Sequence, residues 1–272
     1  MTEAAIERPR PTTASGGAPI EGRGITKRFP GKARAFTAIE DVSFAIAGGE
    51  FVSLIGPSGC GKSTLMLIAA GLTPASEGTI HIGGRRLEAP ITDVGIVFQD
   101  HLLLEFRTAL DNILLQHQIR GLPLAQGRRD ALALMEKIGI AHAADRYPHQ
   151  LSGGMRQRVS IARALIHEPS VLLMDEPFGA LDAITRTQIR HDLEVLWLET
   201  RKTVLFITHS VEEAVGLSDR VLVMSPSPGK IVEEIRIDLP RPRPAHLGEY
   251  PTFNTYAERI HDAFKRLGVI KY

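Results

Sequence analysis

Three stretches of this 272-residue chain carry residue types at spacings suited to phosphate chemistry. The first is "GPSGCGKST" at 56–64, which satisfies G-x-x-x-x-G-K-[ST] directly after an apolar run at 51–55. Glycines at that spacing let successive backbone N–H groups turn inward on a phosphate, and the positive end of the following helix adds to the attraction. In such a loop Gly56, Pro57, Ser58, Gly59, Cys60, Gly61 and Thr64 form the cradle. Lys62 reaches the β- and γ-phosphates, and the Ser63 hydroxyl ligates Mg²⁺. The second is "VLLMDEP" at 171–177, an acid pair closing a continuous apolar run. Asp175 is placed to hold the Mg²⁺ shell, and Glu176 to take or orient the proton of an attacking water. His209 ends "LFITH" and Gln99 ends "GIVFQ", two further strand ends at which contact with a γ-phosphate is the available chemistry; Gln99 is also a candidate ligand of the ion. The third stretch, "LSGGMRQRVSIARAL" at 151–165, sets Ser152, Gly153 and Gly154 before a helical run of Val159, Ala162, Leu165 and Ile166. It is a second glycine-rich helix start in a chain that already has a phosphate loop.

These residues need a sheet to gather them. Short β-like pieces at 24–29, 42–46 and 50–56 precede a helix from about 62 to 71, and "GTIHIGG" (78–84) and "DVGIVFQ" (93–99) read as further strands. From about 107 to 167 the pattern is helical, opening on a capping pair of Thr108 and Asp111. The last third alternates strand 171–176, helix 182–199, strand 203–209, helix 211–217, strand 220–225 and strand 229–237. Alternation of this kind implies an α/β fold with a parallel sheet covered on both faces, and ligands then belong at the carboxyl ends of the strands.

Composition narrows the class. With 43% hydrophobic residues, 23% charged residues and a net charge of +1, the chain reads as an ordinary globular protein without a field for nucleic acid. The apolar runs fall well short of the roughly 20 residues a transmembrane helix needs. The first 21 residues, rich in Pro, Thr, Ala and Gly and without an apolar core segment, read as a disordered leader rather than a signal peptide. Arg241 and Arg243 in "LPRPRP" read as part of an extended, solvated connector, followed by one amphipathic helix on Phe253, Tyr256, Ile260, Phe264 and Leu267. Cys60, the single cysteine, excludes an internal disulfide, and the loop amides and Lys62 are expected to lower its pKa.

The ordered set of P-loop, Gln99, "LSGGM" at 151–155, Asp175-Glu176, "GALD" at 179–182 and His209 resembles the ATP-binding cassette family of transport ATPases over roughly residues 22–240. The resemblance implies a P-loop NTPase core with a mixed, mainly parallel sheet, an antiparallel β subdomain and a helical signature subdomain at about 107–167, with residues 241–272 as an extension. It implies ATP and Mg²⁺ as ligands, with Phe29 stacking on adenine. It also implies an ATP-dependent homodimer in which Ser152, Gly153 and Gly154 of one chain meet the γ-phosphate held by the P-loop of the other, and Asp182 links the two sites.

The segments "VFQDHLLLEFRTALDNI", "MDEPFGALDAITR" and "THSVEEAVGLSDRVLVMSPSPGKI" look like importer ATPases of the nitrate, sulfonate, taurine and bicarbonate group. Membership there implies a peripheral subunit on the cytoplasmic face of the membrane, bound to transmembrane permease subunits and served by an extracytoplasmic solute-binding protein. A typical member has Pro-Trp where Glu105-Phe106 stand here, in the segment expected to touch the permease. Two alternatives stay open: an exporter or lipid-extracting cassette, and a mechanical ATPase without membrane partners. The second is disfavoured by the absence of a heptad run between P-loop and signature.

Overall fold

Apolar runs and glycine turns sort the chain into two sheets in the computed structural model, which describes residues 16–31, 35–244 and 247–270. Strands β1 (Ile20–Phe29), β2 (Phe36–Ile46), β4 (Glu77–Ile82) and the two-residue β5 (Arg85–Arg86) make an antiparallel sheet in the order β2-β1-β4-β5. The second sheet is ordered β10-β9-β3-β8-β7-β6, from β3 (Phe51–Ile55), β6 (Val94–Val97), β7 (Val171–Asp175), β8 (Thr203–Thr208), β9 (Arg220–Met224) and β10 (Ile231–Arg236). Five of these six are parallel and only β10, on the edge, runs antiparallel to its neighbour. β3, β7 and β8 are buried at every position, as continuous apolar runs between two covered faces should be.

Helix α1 (Lys62–Ala69) and the antiparallel sheet cover one core, in which Ile25, Ile39, Val42, Leu65, Met66 and Leu173 are buried together. A second cluster joins Phe51, Phe178, Phe206 and Trp197, with the Phe51 ring 5.7 Å from those of both Trp197 and Phe206. A third core belongs to the helices α2 (Ala109–Arg120), α3 (Leu124–Lys137) and α4 (Gly153–Leu165), where Leu110, Ile113, Met135, Val159 and Ala162 meet. Thr108 caps α2 by accepting from the Asp111 N–H at 3.1 Å. Between β7 and the end of the chain lie α5 (Ala183–Thr200), α6 (Val211–Leu217) and α7 (Pro251–Arg266). None of the helices among the described residues is long and apolar enough to cross a membrane.

Two readings of the termini need correction. Of the expected leader, residues 1–15 lie outside the described residues, but 16–21 are built into the fold. Gly17 N–H donates to Arg201 O at 3.0 Å, and β1 already starts at Ile20. A Cβ on Gly17 would sit 2.1 Å from the Thr203 backbone nitrogen, so that turn tolerates no side chain. Nor are the two arginines of "LPRPRP" solvated, although Pro240 and Pro242 between and beside them are exposed. Arg243 is 2% exposed, and both arginines enter a network with Glu194 and Asp219. Burial, with the Arg241 charge adding to it, pulls the Arg243 pKa down to about 10, which leaves it charged at neutral pH. Beyond this segment α7 buries Ile260, Ala263 and Phe264 against β9, β10 and α6. Burial of each large side chain contributes roughly 1.5–3 kcal/mol, enough to hold the helix on the fold.

Candidate nucleotide site

Because β3, β8, β7 and β6 are adjacent and parallel, their carboxyl ends share one edge of the sheet. That edge carries the phosphate loop after β3, Thr208-His209 at β8, Asp175-Glu176 at β7 and Gln99 two residues beyond β6. The loop turns into α1 through Gly61, at φ 99°. A side chain there would also press within 2.5 Å of Ile39 Cγ2, so both conformation and space require glycine. Ser58, Gly59 and Ser63 form the exposed rim, while Lys62 and Cys60 are buried beneath it. Lys62 Nζ folds back to donate to Gly56 O and Pro57 O, both at 2.9 Å. An ammonium held by two neutral carbonyls is ready to exchange them for anionic oxygens.

Cys60 departs from expectation. Its thiol is buried and its pKa is raised, because desolvation outweighs the lowering by Lys62 and the loop amides. It packs under Gly56 rather than presenting a thiolate, since a Cβ on Gly56 would stand only 3.0 Å from the Cys60 Sγ.

Ser63 Oγ donates to Asp175 Oδ1 at 3.0 Å, bringing together a hydroxyl and a carboxylate, the hard oxygen donors that Mg²⁺ takes. Burial raises the Asp175 pKa, opposed by the Ser63 hydrogen bond, and a cation beside it would relieve the buried charge. Gln99 is exposed and makes no hydrogen bond to that pair; its Nε2 lies 3.9 Å from where a Gly179 Cβ would be. Glu176 follows with φ 42°, a left-handed conformation uncommon for a non-glycine residue, and its N–H donates to Ile207 O at 2.9 Å. The twist turns its carboxylate between two groups: Oε1 is 4.0 Å from Lys62 Nζ, and Oε2 is 3.0 Å from His209 Nδ1.

The remaining candidates sit apart from this cluster. Ser152 caps α4, accepting from the Met155 N–H at 3.3 Å. Gly154 is buried against α5, where a Cβ would come within 2.5 Å of Thr185 Cγ2, whereas a Cβ on Gly153 would meet only Leu181 Cδ2 at an ordinary 3.7 Å. Packing inside the chain therefore accounts for one of the two glycines. Asp182 has an in-chain task as the cap of α5, accepting from the Thr185 N–H at 3.0 Å, and that bond lowers its pKa. Phe29 pairs with Phe36 at the end of β1; the residue is 38% exposed, and Lys27 Nζ lies 5.0 Å from its ring centre.

One set of contacts near the site escaped the sequence. The segment after Gln99 is strapped to α4: Gln157 Oε1 meets His101 Nδ1 at 2.7 Å, and Arg163 donates to His101 O and Leu102 O. The strap leaves Leu102 and Phe106 exposed, Phe106 at 75%. Gln157 is fully buried on α4, yet nothing near it in the sequence points to His101.

The profile of the ABC transporter family matches residues 39–179. A taurine import ATP-binding protein of Rhizobium johnstonii is 47% identical over 76% of this chain and 79% of its own length. An aliphatic sulfonates import ATP-binding protein of Bacillus cereus is 39% identical over 91% of this chain and 96% of its own. Among solved structures, a dimeric ATP-binding cassette in a post-hydrolysis state, bound to ADP and phosphate, superposes with a TM-score of 0.73 at 31% identity, covering 81% of this chain and 99% of that one. A phosphate loop, an acid pair and a histidine on one sheet edge, with these matches across most of the sequence, place the chain in the ABC transporter family as one of its ATP-hydrolysing cassettes.

Proposed function

We propose that this chain powers the import of a small sulfonate-like solute, taurine, an alkanesulfonate or nitrate, as a peripheral subunit on the cytoplasmic face of the cell membrane. The reading is carried by the meeting of Lys62, Glu176 and His209 beside the Ser63–Asp175 pair. The similarity to taurine and aliphatic sulfonate import ATP-binding proteins along most of the chain supports the importer class. In this reading the loop amides and Lys62 bind the phosphates of ATP, and Phe29 stacks on the adenine. Ser63 and Asp175 hold Mg²⁺, with Gln99 completing its surroundings. The ion, when bound, neutralises charge on the transferred phosphoryl group. Glu176 accepts the proton of the attacking water, and His209 holds that carboxylate in place.

Two chains close head to tail, so that Ser152 and Gly153 of each meet the nucleotide of the other, and Asp182 lies at the junction. Phe106 and Leu102 seat a helix of the permease, and the Arg163 strap transmits its movement to the signature helix α4. A solute-binding protein delivers the solute to the permease from outside.

The test is uptake of labelled taurine, an alkanesulfonate and nitrate by cells carrying the native chain or Glu176→Gln. The variant should bind ATP normally yet abolish uptake of at least one of the three. Uptake of all three unchanged by the variant would overturn the solute class.

A further inference from the structure

The two arginines that sequence places in a solvated connector stand at the far end of the helix that begins beside His209. α6 has seven residues, so its last carbonyls depend on partners outside the helix. Arg243 donates to Val215 O at 2.7 Å and to Ser218 O at 2.9 Å, and Arg241 donates to Leu217 O at 2.6 Å. Guanidinium groups at a helix carboxyl end satisfy these acceptors and oppose the negative end of the dipole. The pair is itself anchored on α5. Arg241 Nη1 meets Glu194 Oε1 at 2.9 Å, the Arg243 N–H donates to Glu194 Oε2 at 3.0 Å, and the Arg241 guanidinium lies 4.3 Å from the Trp197 ring centre. A Cβ on Gly216 would meet Arg190 and Leu247 within 2.6 Å, so α6 is also pressed closely between α5 and the extension.

The amino end of α6 is tied to the reacting edge of the sheet. Thr208 Oγ1 donates to Glu213 and accepts from the Ser210 N–H at 2.9 Å. His209, between those two residues, is largely exposed, and its only hydrogen bond among the described residues is the one to Glu176. His209 lies in the two-residue link between β8 and the first residue of α6, so the helix start is one of the two elements that set its backbone.

We propose that Arg241 and Arg243 are positioning residues for ATP hydrolysis: by capping the carboxyl end of α6 they fix the helix whose amino end presents His209 to Glu176. The proposal rests on the roles assigned to those two residues above. It is tested by a double-mutant cycle of Arg243→Met and His209→Ala in the full chain. The rate of a single turnover is measured per bound ATP and followed for hours, so that slow variants are still read. Arg243→Met should slow turnover about tenfold with KM for ATP changed less than about twofold, and should cost less than about twofold when His209 is already alanine. Arg241→Lys, which keeps the charge but loses the fork, should show a smaller loss of the same kind and serves if the methionine variant fails to fold. Equal losses in both backgrounds, or a parallel rise in KM, would mean a general structural role and overturn the proposal. Normal turnover in His209→Ala alone would overturn the histidine assignment beneath it, and the positioning role with it.

Discussion

The helices α1 and α4 both start at glycine-rich turns, and they differ in how much of the surrounding site the chain supplies. At α1 the same chain provides the amides, the buried Lys62, the Ser63–Asp175 pair and a carboxylate within 4.0 Å of the ammonium. At α4 it provides a cap, with Ser152 accepting from its own helix, and a Cβ added to Gly153 would meet Leu181 Cδ2 at an ordinary 3.7 Å. The first start is nearly complete before any ligand arrives. The second has a glycine-rich helix start but no buried lysine and carboxylate set like that of the first, which fits the partner-completed half-site proposed above.

The sharpest way to break this contrast is to put charge where only a partner should notice it. Gly153→Asp adds a carboxylate at the first position of α4, where the helix dipole favours an acid, so the melting temperature should hold or rise slightly. Against a partner's phosphates the same group is repulsive, and ATP hydrolysis should fall about 100-fold or more. A matching loss of stability would place Gly153 inside the fold and end the distinction.

Gly154 should behave in the opposite way. Its added methyl meets Thr185 Cγ2 at 2.5 Å, so Gly154→Ala should destabilise the monomer by about 1–3 kcal/mol in denaturant unfolding. Thr185→Ser removes the obstructing methyl and keeps the hydroxyl, and should recover most of that loss. No recovery would mean that the glycine serves something other than the α4–α5 contact.

A third effect, on the α4 side, depends on pH. Burial, with the Arg120 charge adding to it, pulls the pKa of His167, beyond the carboxyl end of α4, down to about 4. The folded state thus keeps this ring neutral while the unfolded chain binds a proton below about pH 6.5. Stability should fall as pH drops through the window from 6.5 to 4, by about 2.5 kcal/mol on reaching pH 4.5. His167→Gln should flatten that part of the profile. An unchanged slope in the variant would assign the acid sensitivity elsewhere.

What could be read from the sequence follows the same division between local and distant causes. The phosphate loop, the buried strands and Asp175-Glu176 were legible because each is a contiguous pattern whose chemistry depends on its immediate neighbours. Arg241 and Arg243 were misread because Pro-Arg alternation looks the same in a solvated linker, while Glu194 on α5 lies far away in the chain. Cys60 was misread for a different reason: the amides and Lys62 do lower its pKa, but the depth of burial that outweighs them is not written in the motif. The in-chain need for Gly154 was hidden as well, since nothing in "LSGG" reveals that Thr185 crosses it. The strap from Gln157 and Arg163 to residues 101–102 joins positions about sixty apart and had no local signature.

The most direct test of the half-site account uses two damaged chains together. One carries Lys62→Ala, which removes the ammonium of the phosphate loop, and the other Ser152→Arg, which fills the signature with a long side chain. If the signature works across the dimer, a mixed dimer holds one doubly damaged site and one intact site built from Lys62 of the second chain and Ser152 of the first. If it works within its own chain, every site is damaged once. Each variant alone should occlude almost no ATP. The account predicts that the mixture traps tightly bound nucleotide approaching one ATP per mixed dimer, scored as occlusion so that the readout does not depend on both sites closing together. Occlusion in the mixture no greater than in either variant alone would contradict it.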